Sequence, residues 1–209
     1  AHVALAFDLP RVQIDGGGVS ASFAGVKVQG DWDVTGNQAE WSGHTNMGIG
    51  ELSFASRFGS ASLKGVESSV VQRNQGATVL VGYSLKVREG VATEPGAQVQ
   101  GFQDAVLEIE LDRLDKQVLA NSFDDVGGAE RAQVSPQAHN RLAAQLAMGM
   151  MGELLKASPE MRVKKLGMTT ANGSLSGSAV LSFDGSGMGE AAAPAEMLSR
   201  VKFSGSAEL

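Results

Sequence analysis

Cysteine is absent from this 209-residue chain, and its absence excludes several kinds of chemistry at once. The chain can form no disulfide, offer no thiolate nucleophile and build no cysteine-ligated metal site. Histidine is almost as scarce, since His2, His44 and His139 are far apart in sequence and none has a partner at metal-ligand spacing. The sequence therefore predicts neither a metal nor another cofactor.

The motifs that usually mark catalysis are also lacking. The segment 31–36 begins like a calcium loop, but Ser42 stands where the bidentate glutamate is expected, so a turn with surface aspartates is favoured. Glycine runs at 16–18, 48–50 and 185–189 lack the strand-to-helix setting and the lysine or acid that a phosphate loop needs. We therefore predict that the protein is not an enzyme.

Positive charge and aromatic side chains are both sparse. The formal net charge is −6, lysine and arginine form no cluster, and aromatic residues make up 5% of the chain. Since a nucleic-acid surface needs basic patches or aromatic stacking platforms, the sequence predicts no nucleic-acid partner.

Long apolar runs are missing as well. None approaches the ~20 residues that a membrane-spanning helix requires, and no signal peptide is present. Because the chain begins and ends within strand-like patterns, we expect it to be a fragment of a longer protein. Membrane association is then expected only through an anchor in that parent, outside this chain.

Short alternating strands dominate residues 1–112. The clearest runs from Thr78 to Arg88, where apolar residues occupy every second position. Glycine-rich or proline–glycine sequences predict the turns. The sequence SASFAGV at 20–26 returns as SASLKGV at 60–66, which favours adjacent hairpins in one extended sheet.

The stretch from 135 to 183 predicts a long amphipathic helix followed by a β-hairpin. Ser135-Pro136 is a helix start signal, and apolar residues then recur at helical spacing until Ser158-Pro159 ends the helix. Asn172-Gly173 predicts the hairpin turn. Two shorter helices are predicted, one near 114–123 and one near 191–198.

These patterns together predict an α+β fold. We expect a twisted, mainly antiparallel sheet with one long helix, at about 136–158, packed on its apolar face. The chain is treated as one domain or part of one, with four successive parts: strand-rich 1–112, connection 113–134, helix plus hairpin 135–184, and short helix plus strand 190–209.

The same residues carry a family resemblance. The sequence LDRLD at 111–115, the helix end LLKASP at 154–159, and LGMTT at 166–170 with the hairpin LSGSAVL at 175–181 resemble the C-terminal part of the YdgA-like family. That resemblance implies a large Gram-negative envelope protein with an inner-membrane anchor and a periplasmic body. It supplies no catalytic residues.

The leading functional prediction is a non-enzymatic periplasmic binding or structural module, holding a lipid or another apolar partner in a groove between sheet and helix. A filled core at the same place is the alternative structural interpretation. A second functional hypothesis is a protein–protein or oligomerisation module acting through an open sheet edge. The residues predicted to line the groove are Met148, Met150, Met151, Leu155, Leu175, Leu181 and Phe183.

Overall fold

Nine long strands form the framework of the protein in a computed structural model, which describes residues 1–35, 41–96, 99–121, 152–188 and 194–208. Alternating side chains and glycine-containing turns generate these strands directly from the sequence pattern. The strands are β1 His2–Gly16, β2 Val19–Asp33, β3 Ser42–Ser56, β4 Gly59–Gln75, β5 Thr78–Thr93, β6 Gln100–Asp115, β7 Glu160–Thr170, β8 Gly173–Phe183 and β9 Val201–Glu208.

All nine strands belong to one sheet, and each lies beside the strand that precedes it in the chain. Every pairing is antiparallel. The predicted antiparallel sheet is confirmed, but the predicted α+β class is wrong. Strands make up about three quarters of the described structure, so the fold is mainly β.

Helices are short wherever the structure describes them. They comprise α1 at 116–121, α2 at 152–156 and α3 at Pro194–Ser199. The long helix predicted at about 136–158 is not found, since its described part is limited to α2, and 136–151 lies outside the described residues. The class prediction was wrong because helical spacing in one segment shows which side of a helix would be apolar, and not how much of the fold is strand.

A row of small or irregular residues crosses the first six strands. The pairs on either side of it place Pro10, Gly25, Gly50, Gly65, Arg88 and Asp104 side by side. We call this row the crease. Three of its members, on alternate strands, have left-handed φ values: +63° at Gly25, +59° at Gly65 and +52° at Asp104.

The apolar pattern changes phase at the crease. In β2, for example, Phe23 is followed by Val26, three positions later, and alternation resumes from there. A left-handed residue interrupts the strict alternation of an extended strand, and left-handed glycines are used in this way in β-bulges. The repeated sequences at 20–26 and 60–66 lie two strands apart and contribute Gly25 and Gly65 to the same crease. The repeat therefore reflects a left-handed backbone conformation that both strands adopt at this level of the sheet.

The fully buried part of the molecule is small. The buried apolar side chains of the described residues are Val66, Val79, Leu80, Val87, Ala120 and Phe183. Val79 and Ala120 are buried at the end of the sheet where α1 begins, and the main-chain N–H of Lys116 donates to Ala77 there. The Asp115 carboxylate accepts hydrogen bonds from the N–H groups of Gln117 and Val118, which caps α1.

A cluster of charges joins β6 to β7, the two strands between which the chain leaves the sheet. The Arg113 guanidinium donates to Glu160 at 3.1 Å, and Arg162 contacts both Glu160 and Asp112. The acids are mostly buried, at 16% and 15% side-chain exposure. Arg113 also has a left-handed φ of +59°. These contacts hold the end of β6 against the start of β7.

The crease predicts unequal effects of adding a methyl group at two glycines. A Cβ at Gly65 would force an unfavourable φ and lie 3.0 Å from the Arg88 Cβ, whereas nothing lies within 4 Å of a Cβ at Gly48. We expect Gly65→Ala to lower the free energy of unfolding by about 1–3 kcal/mol, and Gly48→Ala to leave it unchanged or raise it by less than about 1 kcal/mol. Urea denaturation measures both, and equal effects would contradict a strained crease.

The charge cluster predicts a second contrast. Glu160→Ala leaves Arg113 and Arg162 without their shared carboxylate, so the free energy of unfolding should fall by about 1–3 kcal/mol. Glu153 pairs with Lys156 at 2.7 Å on an exposed helix surface, and Glu153→Ala should cost less than about 0.5 kcal/mol. Thermal unfolding of both variants tests this; a Glu160→Ala variant as stable as the Glu153→Ala control would refute the proposed role.

Candidate functional site

One face of the sheet carries apolar side chains across all nine strands. Cross-strand partners point to the same face of a sheet, so the pairings define complete rows of side chains. Three such rows form what we call the apolar face: Val3, Trp32, Gly43, Gln72, Val81, Leu111, Met161, Leu181 and Phe203; Leu5, Gly30, Thr45, Val70, Tyr83, Ile109, Val163, Ala179 and Gly205; and Phe7, Val28, Met47, Ser68, Leu85, Leu107, Leu166, Gly177 and Ala207.

Much of the apolar face is accessible to solvent. Its exposed large side chains extend from one edge strand to the other, and they are Val3, Leu5, Phe7, Met47, Val70, Tyr83, Leu111, Met161, Leu166, Leu181 and Phe203. Monomeric proteins seldom expose contiguous apolar patches of more than a few hundred Å², and larger ones commonly mark binding surfaces. The exposure therefore makes the apolar face a candidate binding surface, and it also means that these side chains are not packed into a core.

Two polar side chains of the apolar face, Trp32 and Gln72, donate hydrogen bonds within the protein. The Trp32 indole N–H donates to the Thr45 hydroxyl at 2.9 Å, and the Gln72 amide donates to the Trp41 carbonyl at 2.8 Å. No residue in the three rows is charged. Since hydrogen-bonding groups that are already satisfied offer little to a polar ligand, this face is suited to apolar contact.

The opposite face of the same strands is charged. Ion pairs link neighbouring strands there, with Lys164 at 2.7 Å from Glu110 and Arg162 at 3.6 Å from Asp112. Lys27 lies 3.9 Å from Asp8 near the β1 edge. The two faces differ because consecutive residues of a strand point in opposite directions. This half of the sheet is therefore amphipathic.

The predicted groove residues are only partly brought together. Leu175, Leu181 and Phe183 share one face of β8, but Leu175 and Phe183 are eight residues apart, about 26 Å along a strand. Phe183 is buried, while Leu181 is exposed within the apolar face. Met148, Met150 and Met151 lie outside the described residues.

Leu155 lies close to the end of β8. A Cβ built at Gly185 would meet the Leu155 carbonyl oxygen and the Lys156 backbone, so α2 approaches the chain just after Phe183. The Phe183 N–H also donates to the Pro159 carbonyl at 3.1 Å. The sequence prediction placed Leu155 and Phe183 together near this end of β8. It named no residue of β1 to β6, and so it missed the part of the apolar face that lies on those strands. Alternating apolar residues in those strands were the available signal.

A polar trough lies on the other side of the crease. It has a volume of about 410 Å³ and is lined largely by hydroxyl groups. Ser22 and Ser53 face each other across two strands, with their hydroxyl oxygens 2.7 Å apart. These two hydroxyls are hydrogen-bonded to each other, and the Arg11 side chain also lines the trough.

Histidine and acidic side chains form no group that could hold a metal ion within the described ranges. His2 lies 3.5 Å from Asp31 and 3.4 Å from Asp33 on the exposed β1–β2 border. The segment predicted as a turn at 31–36 instead extends β2 through Asp33. The pKa of Asp184 lies below its usual value because the Ser186 hydroxyl and backbone N–H both donate to its carboxylate. That carboxylate stabilises an exposed turn.

The length of the helices and comparisons with known proteins bear on identity. In the described part of the chain, no helix is long and apolar enough to cross a membrane. Among protein-family models, one described as "Bacterial protein of unknown function (DUF945)" matches residues 1–209. The chain belongs to this family. No curated protein and no solved structure matches it. Membership in DUF945 agrees with the predicted bacterial family of uncharacterised proteins and assigns no role to a particular residue.

Proposed function

We propose that this chain is a non-enzymatic binding module of the bacterial cell envelope, and that its apolar face holds the acyl chains of a lipid. The observation that carries the proposal is the exposure of uncharged, apolar rows across the whole sheet. An acyl chain needs contact area but no hydrogen bonds, and this face offers large exposed apolar side chains and no charged group.

The dimensions and energetics support an acyl chain. Nine strands about 4.8 Å apart give the face a width of roughly 38 Å, enough for an extended chain to lie across the strands. Each methylene group removed from water contributes about 0.8 kcal/mol. About ten such groups give a gross gain near 8 kcal/mol, the scale of micromolar binding before the costs of association.

The proposed location comes from the family resemblance. The sequence is similar to the C-terminal part of YdgA-like envelope proteins, which implies a periplasmic position below an inner-membrane anchor of the parent. A periplasmic module that carries acyl chains would operate beside the lipids it binds. Leu181 belongs to both the predicted groove and the apolar face, and therefore links the two descriptions.

A second candidate function is protein–protein association through a sheet edge. Within the described ranges, β1 and β9 each pair with a single strand. Unpaired edges expose main-chain N–H and C=O groups that can accept another strand. The exposed apolar residues of β1 would support such pairing.

Lipid binding is tested with two neighbouring residues on opposite faces of β5. Tyr83→Glu puts a charge at the centre of the apolar face, whereas Ser84→Glu puts the same charge on the polar face. With a fluorescent long-chain fatty acid as the probe, we expect at least tenfold weaker binding for Tyr83→Glu and unchanged binding for Ser84→Glu. Circular dichroism and urea denaturation establish that both variants fold.

Native mass spectrometry of protein purified from bacterial cells separates the two candidate functions. A lipid adduct that disappears in Tyr83→Glu supports lipid binding. A defined oligomer free of lipid, with no fatty-acid binding by the wild-type chain, would rule out the first function and favour the second.

A further inference from the structure

The turn between β3 and β4 carries two large side chains into solvent. Ser56 pairs with Gly59, so Arg57 and Phe58 form the whole loop between the strands. Phe58 is 71% exposed, and the central carbon of the Arg57 guanidinium lies 4.6 Å from the centre of its ring. A cation is attracted to the face of an aromatic ring. An apolar ring and a guanidinium group therefore stand together at this end of the sheet, and we call the pair the tip.

Hydrogen bonds and packing fix the backbone of the tip. The Ser56 hydroxyl accepts a hydrogen bond from the Phe58 N–H at 3.1 Å and donates one to the Gly59 carbonyl at 3.4 Å. A Cβ built at Gly59 would collide with the Thr93 carbonyl oxygen, so the end of the hairpin is packed against β5. The exposure of Phe58 is therefore set by a closed turn that is held on both sides.

The neighbouring turn offers the Phe58 ring nothing to pack against. Val19 pairs with Ser56, which places the β1–β2 turn beside the tip at the same end of the sheet. That turn contains three consecutive glycines, Gly16–Gly18, and nothing lies within 4 Å of a Cβ built at any of them. Because glycines have no side chains, this turn cannot cover the ring.

Two further apolar side chains near the tip are accessible to solvent. Phe54 is 45% exposed and Val19 is 41% exposed. Phe54 pairs with Ala21, which lies two positions after Val19 in β2, so Phe54 and Val19 point to the same face of the sheet. Both residues lie on strands that are paired on each side, so their exposure does not depend on an edge of the sheet.

We propose that the tip docks onto the surface of a phospholipid bilayer. In this arrangement Phe58 enters the boundary between headgroups and acyl chains, with Phe54 and Val19 behind it, and Arg57 binds a lipid phosphate. Aromatic and basic side chains together are typical of segments that bind at this boundary, and the guanidinium group matches the geometry of phosphate oxygens. The inference goes beyond acyl-chain binding by the apolar face and does not depend on it.

Charges near the tip favour a bilayer of mainly zwitterionic phospholipids. The acids beside it are Asp15, whose carboxylate accepts a hydrogen bond from the Gln13 amide at 2.8 Å, and Glu94, whose Cα lies 3.3 Å from a Cβ built at Gly59. The chain as a whole has a net charge of −6. A strongly anionic surface would repel these charges. Zwitterionic phospholipids still present a phosphate to Arg57 and an apolar layer to Phe58.

The two ends of β4 supply a matched pair of variants. Phe58→Glu puts a charge at the tip, whereas Ala77→Glu puts the same charge in the exposed turn at the other end of the strand, roughly 50 Å away. We measure co-sedimentation with vesicles of phosphatidylcholine and phosphatidylethanolamine. We expect wild-type binding for Ala77→Glu and for Phe58→Trp, and at least tenfold weaker binding for Phe58→Glu. Circular dichroism and urea denaturation establish that the variants fold.

The cysteine-free sequence allows the depth of the tip to be measured. Phe58→Cys and Ala77→Cys are each labelled with an aromatic fluorophore whose emission shifts to the blue in an apolar environment. Addition of the same vesicles should shift the emission at position 58 and leave it unchanged at position 77. Equal shifts at both positions, or a shift only at position 77, would contradict docking through the tip.

Two variants separate this inference from acyl-chain binding. Tyr83→Glu should lose fatty-acid binding and still co-sediment with vesicles, whereas Phe58→Glu should show the reverse. A wild-type chain that does not co-sediment, or a Phe58→Glu variant that co-sediments like wild type, would overturn the proposal whether or not the protein binds fatty acid. If the wild-type chain instead forms an oligomer that Phe58→Glu dissociates, the tip is a contact between copies and the membrane assignment is wrong.

Discussion

The structure depends on a simple constraint: a single sheet has two faces and can bury an apolar one only against another layer. In the described part of this chain, successive strands lie side by side in one sheet. The polar face is satisfied by water and by cross-strand ion pairs such as Lys164–Glu110. The opposite rows have little in the described structure to cover them, and the six buried apolar side chains of the described residues lie outside these rows. Exposure of the apolar face is the direct consequence, and the proposed lipid binding rests on it.

The crease shows how a sheet of such long strands accommodates a change of phase. The long strands of this sheet have 15–17 residues. If one such strand shifted by one residue relative to its neighbours, all of its apolar side chains would move to the opposite face of the sheet. Gly25, Gly65 and Asp104 make the change at the same level on alternate strands, so neighbouring backbones remain paired. The change is shared across the sheet, which explains why glycines recur at corresponding positions of separate strands.

Polar groups of the described residues are largely engaged in holding strands together. The acids of the Arg113–Glu160 cluster are paired with arginines between β6 and β7, and the Ser22 and Ser53 hydroxyls bond to each other between β2 and β3. Lipid binding by the face and strand pairing at the edge use different groups, side chains in one case and main-chain N–H and C=O in the other. The two proposed functions therefore do not exclude each other.

Sequence alone indicated the strand-rich segments, most of the turns and the antiparallel pairing, because alternation of apolar side chains and the local preferences of glycine and proline act over a few neighbouring residues. It predicted these strands as short, whereas β1 to β6 have 15–17 residues. It also predicted a short helix near 114–123, which is found at 116–121. It could not show that β1 continues through Pro10, that β2 and β4 carry equivalent glycines for one crease, or that rows from nine strands join into one face. Those features are set by cross-strand register, which brings together residues far apart in the chain. The fold class was misjudged for a related reason. Periodicity shows which side of a segment is apolar, whereas only tertiary contacts decide where that side packs and which element dominates the fold.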